Sequence, residues 1–180
     1  MQINELGYNA FVACSRLKKM FFKRGVSAGR ILVAYYSAGA SAESFARKIF
    51  ADSSCDFVGI RPKRPYPGEY GERIERYSCE NRIGLLPEIC GVSGRMEEYG
   101  EVYLLCPACL GFIPPPLKSF LCMYDFSGKV LRLFCLCAPE RPPDFALSVR
   151  RLCPRAAVEI YCARSANFAA HCPYSIRRNP

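Results

Sequence analysis

Ile31-Leu32-Val33-Ala34-Tyr35-Tyr36-Ser37-Ala38-Gly39-Ala40-Ser41-Ala42-Glu43-Ser44-Phe45-Ala46-Arg47-Lys48-Ile49 opens as an apolar strand, passes through a loop of small residues and continues as a helix. An open α/β sheet builds an anion site in this way, because free backbone N–H groups and the positive end of the helix converge at the loop. The loop carries few hydroxyls where a phosphate cradle would use them. The architecture of a nucleotide site is legible here, with half of its chemistry.

Outward from this unit the chain alternates. Arg30–Tyr36 reads as a buried strand, and Ser41–Phe50 as a helix with Phe45, Ile49 and Phe50 inward. Asp56–Ile60 is a second strand, followed by a proline-rich loop from Pro62 to Gly68 and a polar helix from Glu69 to Glu80 carrying Ile74 and Tyr77. An irregular stretch through Pro87 and Gly94 leads to a third strand, Glu101–Cys106. A short helix, Pro116–Met123, is started by prolines. Val130–Cys137 is a fourth strand, Asp144–Leu152 a helix and Ala156–Tyr161 a fifth strand. Five apolar strands separated by helices predict a parallel sheet covered on both faces, with right-handed crossovers. Ligands of such sheets bind outside the carboxyl ends of the strands. The loops concerned are Ser37–Ala42, Cys106–Pro114 and Cys137–Pro143.

A length of 180 residues with 51% hydrophobic residues suits one domain with a sizeable core. No apolar run approaches the roughly 18–20 residues that span a bilayer. Lys18, Lys19, Lys23 and Arg24 follow the apolar patch Ala10–Cys14 instead of preceding it, against the order of a signal peptide, so a cytoplasmic location is expected. Several of the 12 cysteines, such as Cys106 and Cys162, lie inside apolar runs, where a free thiol packs as a small hydrophobe, and most are expected to be reduced core or surface thiols. The formal charge of +9 is dispersed over short arginine blocks without aromatic interleaving. It reads as a solvated surface and not as a nucleic-acid face.

The residues resemble a flavodoxin, in particular the bacterial group with a Pro-Tyr-Pro segment after the second strand. The likeness rests on Ala34-Tyr35-Tyr36-Ser37, on Pro65-Tyr66-Pro67 with Tyr70, Glu80 and Pro87, and on Tyr99 before the third strand. It continues in Pro107 with Gly111 and Pro114, and in Tyr124-Asp125-Phe126-Ser127-Gly128-Lys129 with Phe134. It implies a flavodoxin-like three-layer α/β sandwich whose five-stranded parallel sheet has the order 2-1-3-4-5. It divides the chain into an N-terminal extension (1–29), a flavodoxin-like domain (30–162) and an irregular C-terminal tail (163–180). Between Phe11 and Phe21 the extension carries a loosely helical apolar stripe beside basic residues. The tail, with Pro173 and Pro180, shows little helical pattern, which leaves the last helix of the fold doubtful.

The resemblance further implies FMN as cofactor, electron transfer as activity and a redox protein as partner. Ser37, Ser41, Pro107 and Gly111 are the cofactor-binding residues it carries over. Three loops depart from the family pattern. Ser-Arg-Thr-Gly-Asn-Thr is here Ser37-Ala38-Gly39-Ala40-Ser41-Ala42, which lacks two threonine hydroxyls. Pro-x-Trp-Trp-Gly is Pro107-Ala108-Cys109-Leu110-Gly111, without the aromatic that covers the flavin ring, although Phe112 is adjacent. Thr-Ser-Gly-Gly-Ser-Gly is Leu136-Cys137-Ala138-Pro139-Glu140-Arg141, in which Pro139 lacks a donor and Glu140 adds negative charge. The expectation is a weakened FMN site.

Two other readings stand beside it. The first is a flavodoxin fold without flavin that serves as an interaction module. The second gathers Cys106 and Cys109, a C-x-x-C pair, with Cys135 and Cys137 at the ligand edge. These thiols are core cysteines with an incidental spacing, a dithiol redox pair or a soft-metal site. No catalytic residue or metal ligand is assigned. His171 has no acid or nucleophile beside it, and Glu97-Glu98 read as solvated charge.

Overall fold

The computed structural model describes residues 29–36, 41–51, 53–90, 95–108, 112–137 and 145–164. Within them the order is β1 (Arg30–Tyr35), α1 (Ser41–Ile49), β2 (Cys55–Gly59), α2 (Tyr70–Ile83), a 3-10 turn (Met96–Glu98), β3 (Tyr99–Ala108), α3 (Pro115–Met123), β4 (Val130–Cys137), α4 (Phe145–Leu152) and β5 (Ala157–Arg164). All five strands run parallel in the order β2-β1-β3-β4-β5, as the resemblance implies. The N-terminal extension up to residue 28 and the tail from residue 165, with its His171, lie outside the described residues.

The apolar runs of β1, β3 and β4 have no polar alternation because both faces of the sheet are covered. On one face Leu32, Ala34, Val102, Leu104, Leu131 and Leu133 form a core with Tyr77 of α2, Leu117 and Phe120 of α3, and Phe145 and Val149 of α4. On the other face Val33, Tyr103, Leu105 and Phe134 pack with Ala46 and Ile49 of α1 and with Phe50.

Local chemistry sets the ends of the elements. The Glu69 carboxylate caps α2 by accepting from the Glu72 N–H at 2.8 Å. Gly84, at φ 70°, ends the helix in the left-handed conformation, its N–H directed at the Asn81 carbonyl. The helix therefore runs three residues past the predicted Glu80. Pro115 and Pro116 occupy the first helical positions of α3, where no N–H partner is required. The Asp125-Phe126-Ser127-Gly128-Lys129 stretch turns on an Asx bond, Ser127 N–H to Asp125 Oδ1 at 2.9 Å, and on Gly128 at φ 74°. It buries Phe126 in the core, and Lys129 Nζ donates to the Tyr99 carbonyl at 2.8 Å, which joins the start of β4 to the start of β3. β3 begins two residues before the expected Glu101 and ends two after Cys106, while β5 continues to Arg164.

Candidate functional site

The strand order places the reversal of winding between β1 and β3, and the carboxyl ends of these strands frame the crevice of a doubly wound sheet. α1 starts at Ser41, directly beyond the residue 37–40 loop that leaves β1. The first N–H groups of a helix have no intrahelical partner and lie at its positive end, so this position offers donors to an anion. Glu43 brings a negative charge into the same first turn, but Arg47 one turn later holds it at 3.0 Å. That bond, followed by one from the Tyr35 hydroxyl, lowers the Glu43 pKa. The carboxylate is thus drawn along the helix toward Arg47.

Beneath the β1 edge stands a tyrosine cluster. Tyr36, the last described residue before the loop, is buried and shares a hydroxyl–hydroxyl hydrogen bond with Tyr77 of α2. Tyr66, from the Pro-Tyr-Pro segment, meets the Tyr77 ring edge-on at 4.7 Å and donates its hydroxyl to Glu80, which is buried. Arg76 completes the group, with Nε 2.9 Å from Glu80 Oε1 and its guanidinium 4.5 Å from the Tyr66 ring centroid. Burial, and then the bonds to Tyr77 and Glu80 respectively, push the Tyr36 and Tyr66 pKa values well above the ordinary phenol range. Asn81 Nδ2 donates to the Ile113 carbonyl at 3.3 Å, tying α2 to the chain that follows the third-strand loop. Tyr66 and Glu80 entered the sequence reading only as points of resemblance. Their roles, and those of Tyr36, Tyr77 and Arg76, come from the fold. The i, i+4 spacing of Arg76 and Glu80 was the available signal.

The predicted cofactor residues are placed as follows. Ser41 is the first residue of α1. Pro107 stands within β3, in register with Leu136 of β4, so the strand carries this residue to the edge before any loop begins. Ser37 and Gly111 lie outside the described residues, as do Cys109, Pro139, Glu140 and Arg141. Phe112 packs against the larger core, so that core already engages its ring.

Two further arrangements follow from the register. Cys106, Cys135 and Cys162 are direct partners on β3, β4 and β5, one level of the sheet near its carboxyl edge, and Cys137 stands two residues on in β4. Cys55, Cys79, Cys90, Cys122 and Cys153 are free thiols. The second arrangement is a buried ion cluster lower in the sheet. Arg132 of β4 is paired with Glu101 of β3 and, at 2.9 Å, with Glu159 of β5. The Tyr103 hydroxyl accepts from Arg132 at 2.9 Å and donates to Glu101 at 3.1 Å. Burial lowers the Arg132 pKa, but the Glu159 bond and the electrostatic influence of Tyr103, Glu101 and Glu159 outweigh it, so the guanidinium stays charged. A lone arginine inside the apolar strand Val130–Cys137 was the sequence signal for this cluster.

Among the described residues no helix is long and apolar enough to cross a membrane. No curated protein matches the chain. Several solved structures share the fold. A protein from Bacteroides eggerthii DSM 20697 described as a flavoprotein aligns with TM-score 0.64 and 22% identity, over 75% of this chain and 87% of its own. A second one, from Bacteroides uniformis ATCC 8492, gives TM-score 0.66 and 20% identity, over 79% and 94%. A flavoprotein from Lactobacillus acidophilus NCFM, solved in complex with FMN, gives 0.65 and 16%, over 77% and 94%. In sequence, the flavodoxin family profile matches residues 30–157. A profile that runs from the first residue of β1 to the first of β5 settles the assignment: the chain belongs to the flavodoxin family.

Proposed function

We propose that this protein binds FMN, weakly, at the carboxyl ends of β1, β3 and β4, and exchanges electrons with a redox partner protein in a reducing cytoplasm. The observation that carries the reading is the start of α1 at Ser41, beyond β1 at the switch point of a 2-1-3-4-5 sheet. A similar fold from Lactobacillus acidophilus holds FMN, and the free thiols of the described residues suit a reducing compartment. Two features support the cofactor's anionic end at this place: the amino end of a helix carries main-chain N–H groups without intrahelical partners, and the acidic group in the first turn of α1 is bonded to Arg47.

In this reading Ser37, Ser41 and the N–H groups of the first turn of α1 hold the phosphate. Pro107 and Gly111 shape the wall beside the ring. A bound flavin supplies one- and two-electron transfer, while the protein supplies orientation and tunes the potential. The tyrosine cluster below β1 fixes the strand end from which the phosphate loop departs, because Tyr36 is anchored by Tyr77 on α2. Two missing hydroxyl bonds at about 1 kcal/mol each and a missing aromatic contact of about 1 kcal/mol together weaken binding roughly a hundredfold against a flavodoxin with complete loops.

The test is a titration of purified protein with FMN, followed by flavin fluorescence and the visible spectrum. Saturable 1:1 binding that inorganic phosphate weakens is expected. A colourless protein that leaves FMN unquenched at millimolar concentration overturns the reading.

One observation favours a second reading. Neighbouring parallel strands lie about 4.8 Å apart, so the in-register pair Cys106 and Cys135 falls within the Cα separation of about 4.4–6.8 Å that a disulfide spans. As a dithiol pair they would lose two protons and two electrons to an acceptor disulfide and form one S–S bond. Glutathione disulfide treatment followed by peptide mapping tests this. A Cys106–Cys135 link that dithiothreitol reverses supports it, and two persistent free thiols remove it.

A further inference from the structure

A phenol that loses an electron becomes a strong acid. A tyrosine is therefore oxidised readily only where a base already holds its hydroxyl proton. Tyr66 donates to Glu80, Tyr99 to Asp56 at 2.9 Å and Tyr103 to Glu101 at 3.1 Å, and Tyr35 bonds Glu43. The four pairs differ in what surrounds the acceptor. Glu43 and Asp56 are each more than a third exposed, so water competes for the proton. Glu101 is buried, but so is its cation Arg132, and protonating Glu101 would cancel a charge that this guanidinium relies on. Of the four acceptors, only Glu80 is buried while its cation is open to water: the Glu80 side chain is 6% exposed and that of Arg76 39%. When Glu80 takes up a proton, water can replace it at Arg76.

We propose that Tyr66 is a one-electron redox site, oxidised by small peroxide-derived radicals with Glu80 as the base that takes its proton. One electron passes from the phenol to the oxidant. The Tyr66 O–H bond breaks, and a new O–H bond forms on Glu80 Oε2, the atom that already accepts from it. The products are a neutral phenoxyl radical, a neutral carboxylic acid and the reduced oxidant. The charge of the Tyr66–Glu80–Arg76 group rises by one, carried by Arg76 at the solvent side. An external reductant such as ascorbate returns the electron, and the proton moves back from Glu80 to Tyr66. No flavin takes part in this step.

The surroundings of the ring favour this coupled path. The Arg76 guanidinium lies 4.5 Å from the Tyr66 centroid, so a phenol cation radical would face a positive charge. The electron therefore leaves together with the proton and not before it. Burial, and then the Glu80 bond, hold the phenol well above its ordinary pKa, so the proton does not leave first either. The Tyr77 ring stands edge-on at 4.7 Å and shields one side of the radical from coupling to a second molecule. Pro65 and Pro67 flank Tyr66 and restrict its backbone, and Arg76 donates to the Pro65 carbonyl at 3.4 Å. The segment thus holds the hydroxyl on its acceptor.

The test uses the full-length protein with no flavin added, so its outcome is independent of the flavin site. Photogenerated tris(bipyridine)ruthenium(III) serves as the one-electron oxidant, and samples are frozen at increasing delays for electron paramagnetic resonance. A tyrosyl signal that outlasts the signals of exposed phenols several-fold is expected. It should be lost in Tyr66→Phe and kept in Tyr70→Phe, which removes an exposed phenol. Glu80→Gln still accepts the hydrogen bond but not the proton, and should reduce the signal several-fold. A long-lived signal that survives Tyr66→Phe, or that Tyr70→Phe removes, overturns the proposal, as does an unchanged signal in Glu80→Gln. If Glu80→Gln fails to fold, the rate of radical formation in the unaltered protein decides. With Glu80 as the base, that rate stays constant around neutral pH and falls in heavy water. A rate that climbs with pH, or that heavy water leaves unchanged, assigns the proton to solvent and overturns the proposal.

Discussion

Arg132 shows how much one side chain can commit. It lies 7% exposed between carboxylates of two other strands, so removing it leaves Glu101 buried and without its cation. Arg132→Met should lower the unfolding free energy by about 3–5 kcal/mol in urea titration. Adding Glu101→Gln to that variant should restore part of the loss, because the buried carboxylate charge that faced Arg132 goes with it. Cys153 offers a second check at this scale. Burial, and then the neighbouring Cys122, push its thiol pKa up to about 11. At pH 8 a disulfide reagent should label exposed Cys79, Cys90 and Cys122 in the folded protein and reach Cys153 only on unfolding. Equal labelling rates would contradict the packing described for α4.

The elements were largely legible because periodicity and punctuation agree. Buried strands announce themselves as apolar runs, and prolines mark the start of α3. The ends were less legible where a non-local partner decides them. β3 extends through Pro107-Ala108 because β4 offers Leu136 and Cys137 as register partners, which a local reading cannot see. Likewise, α2 ends at a left-handed Gly84 and not where its apolar pattern fades. For the site, the strand–loop–helix succession was readable, whereas the tyrosine cluster was not, since Tyr36, Tyr66 and Tyr77 meet only once α2 has folded back on β1. That cluster carries a pH prediction. Folded-state pKa values of Tyr36 and Tyr66 lie above the ordinary value of 10.0, so their contribution to stability is complete below about pH 10 and is lost as pH rises beyond it. Ultraviolet titration should show these phenols ionising together with unfolding. Tyr36→Phe and Tyr66→Phe should each reduce that alkaline sensitivity.

At the scale of the molecule, two cores share one sheet, and the larger joins α2, α3 and α4. Phe120 is fully buried there between Tyr124 and Phe126. Phe120→Ala should lower the unfolding free energy by about 3–5 kcal/mol as a single cooperative transition. A transition split between α3 and the sheet would show that the larger core is not one unit. The Arg132 cluster has one more consequence, for how the chain finds its fold. Apolar strands such as β3, β4 and β5 slide past one another at little penalty, since leucine opposite valine differs little from valine opposite leucine. A two-residue slip of β5 would bring Ala157 or Tyr161 opposite Arg132 and strand Glu159 among hydrocarbons. The three charges therefore act as a key that only one alignment turns, and a mispaired sheet leaves them apart.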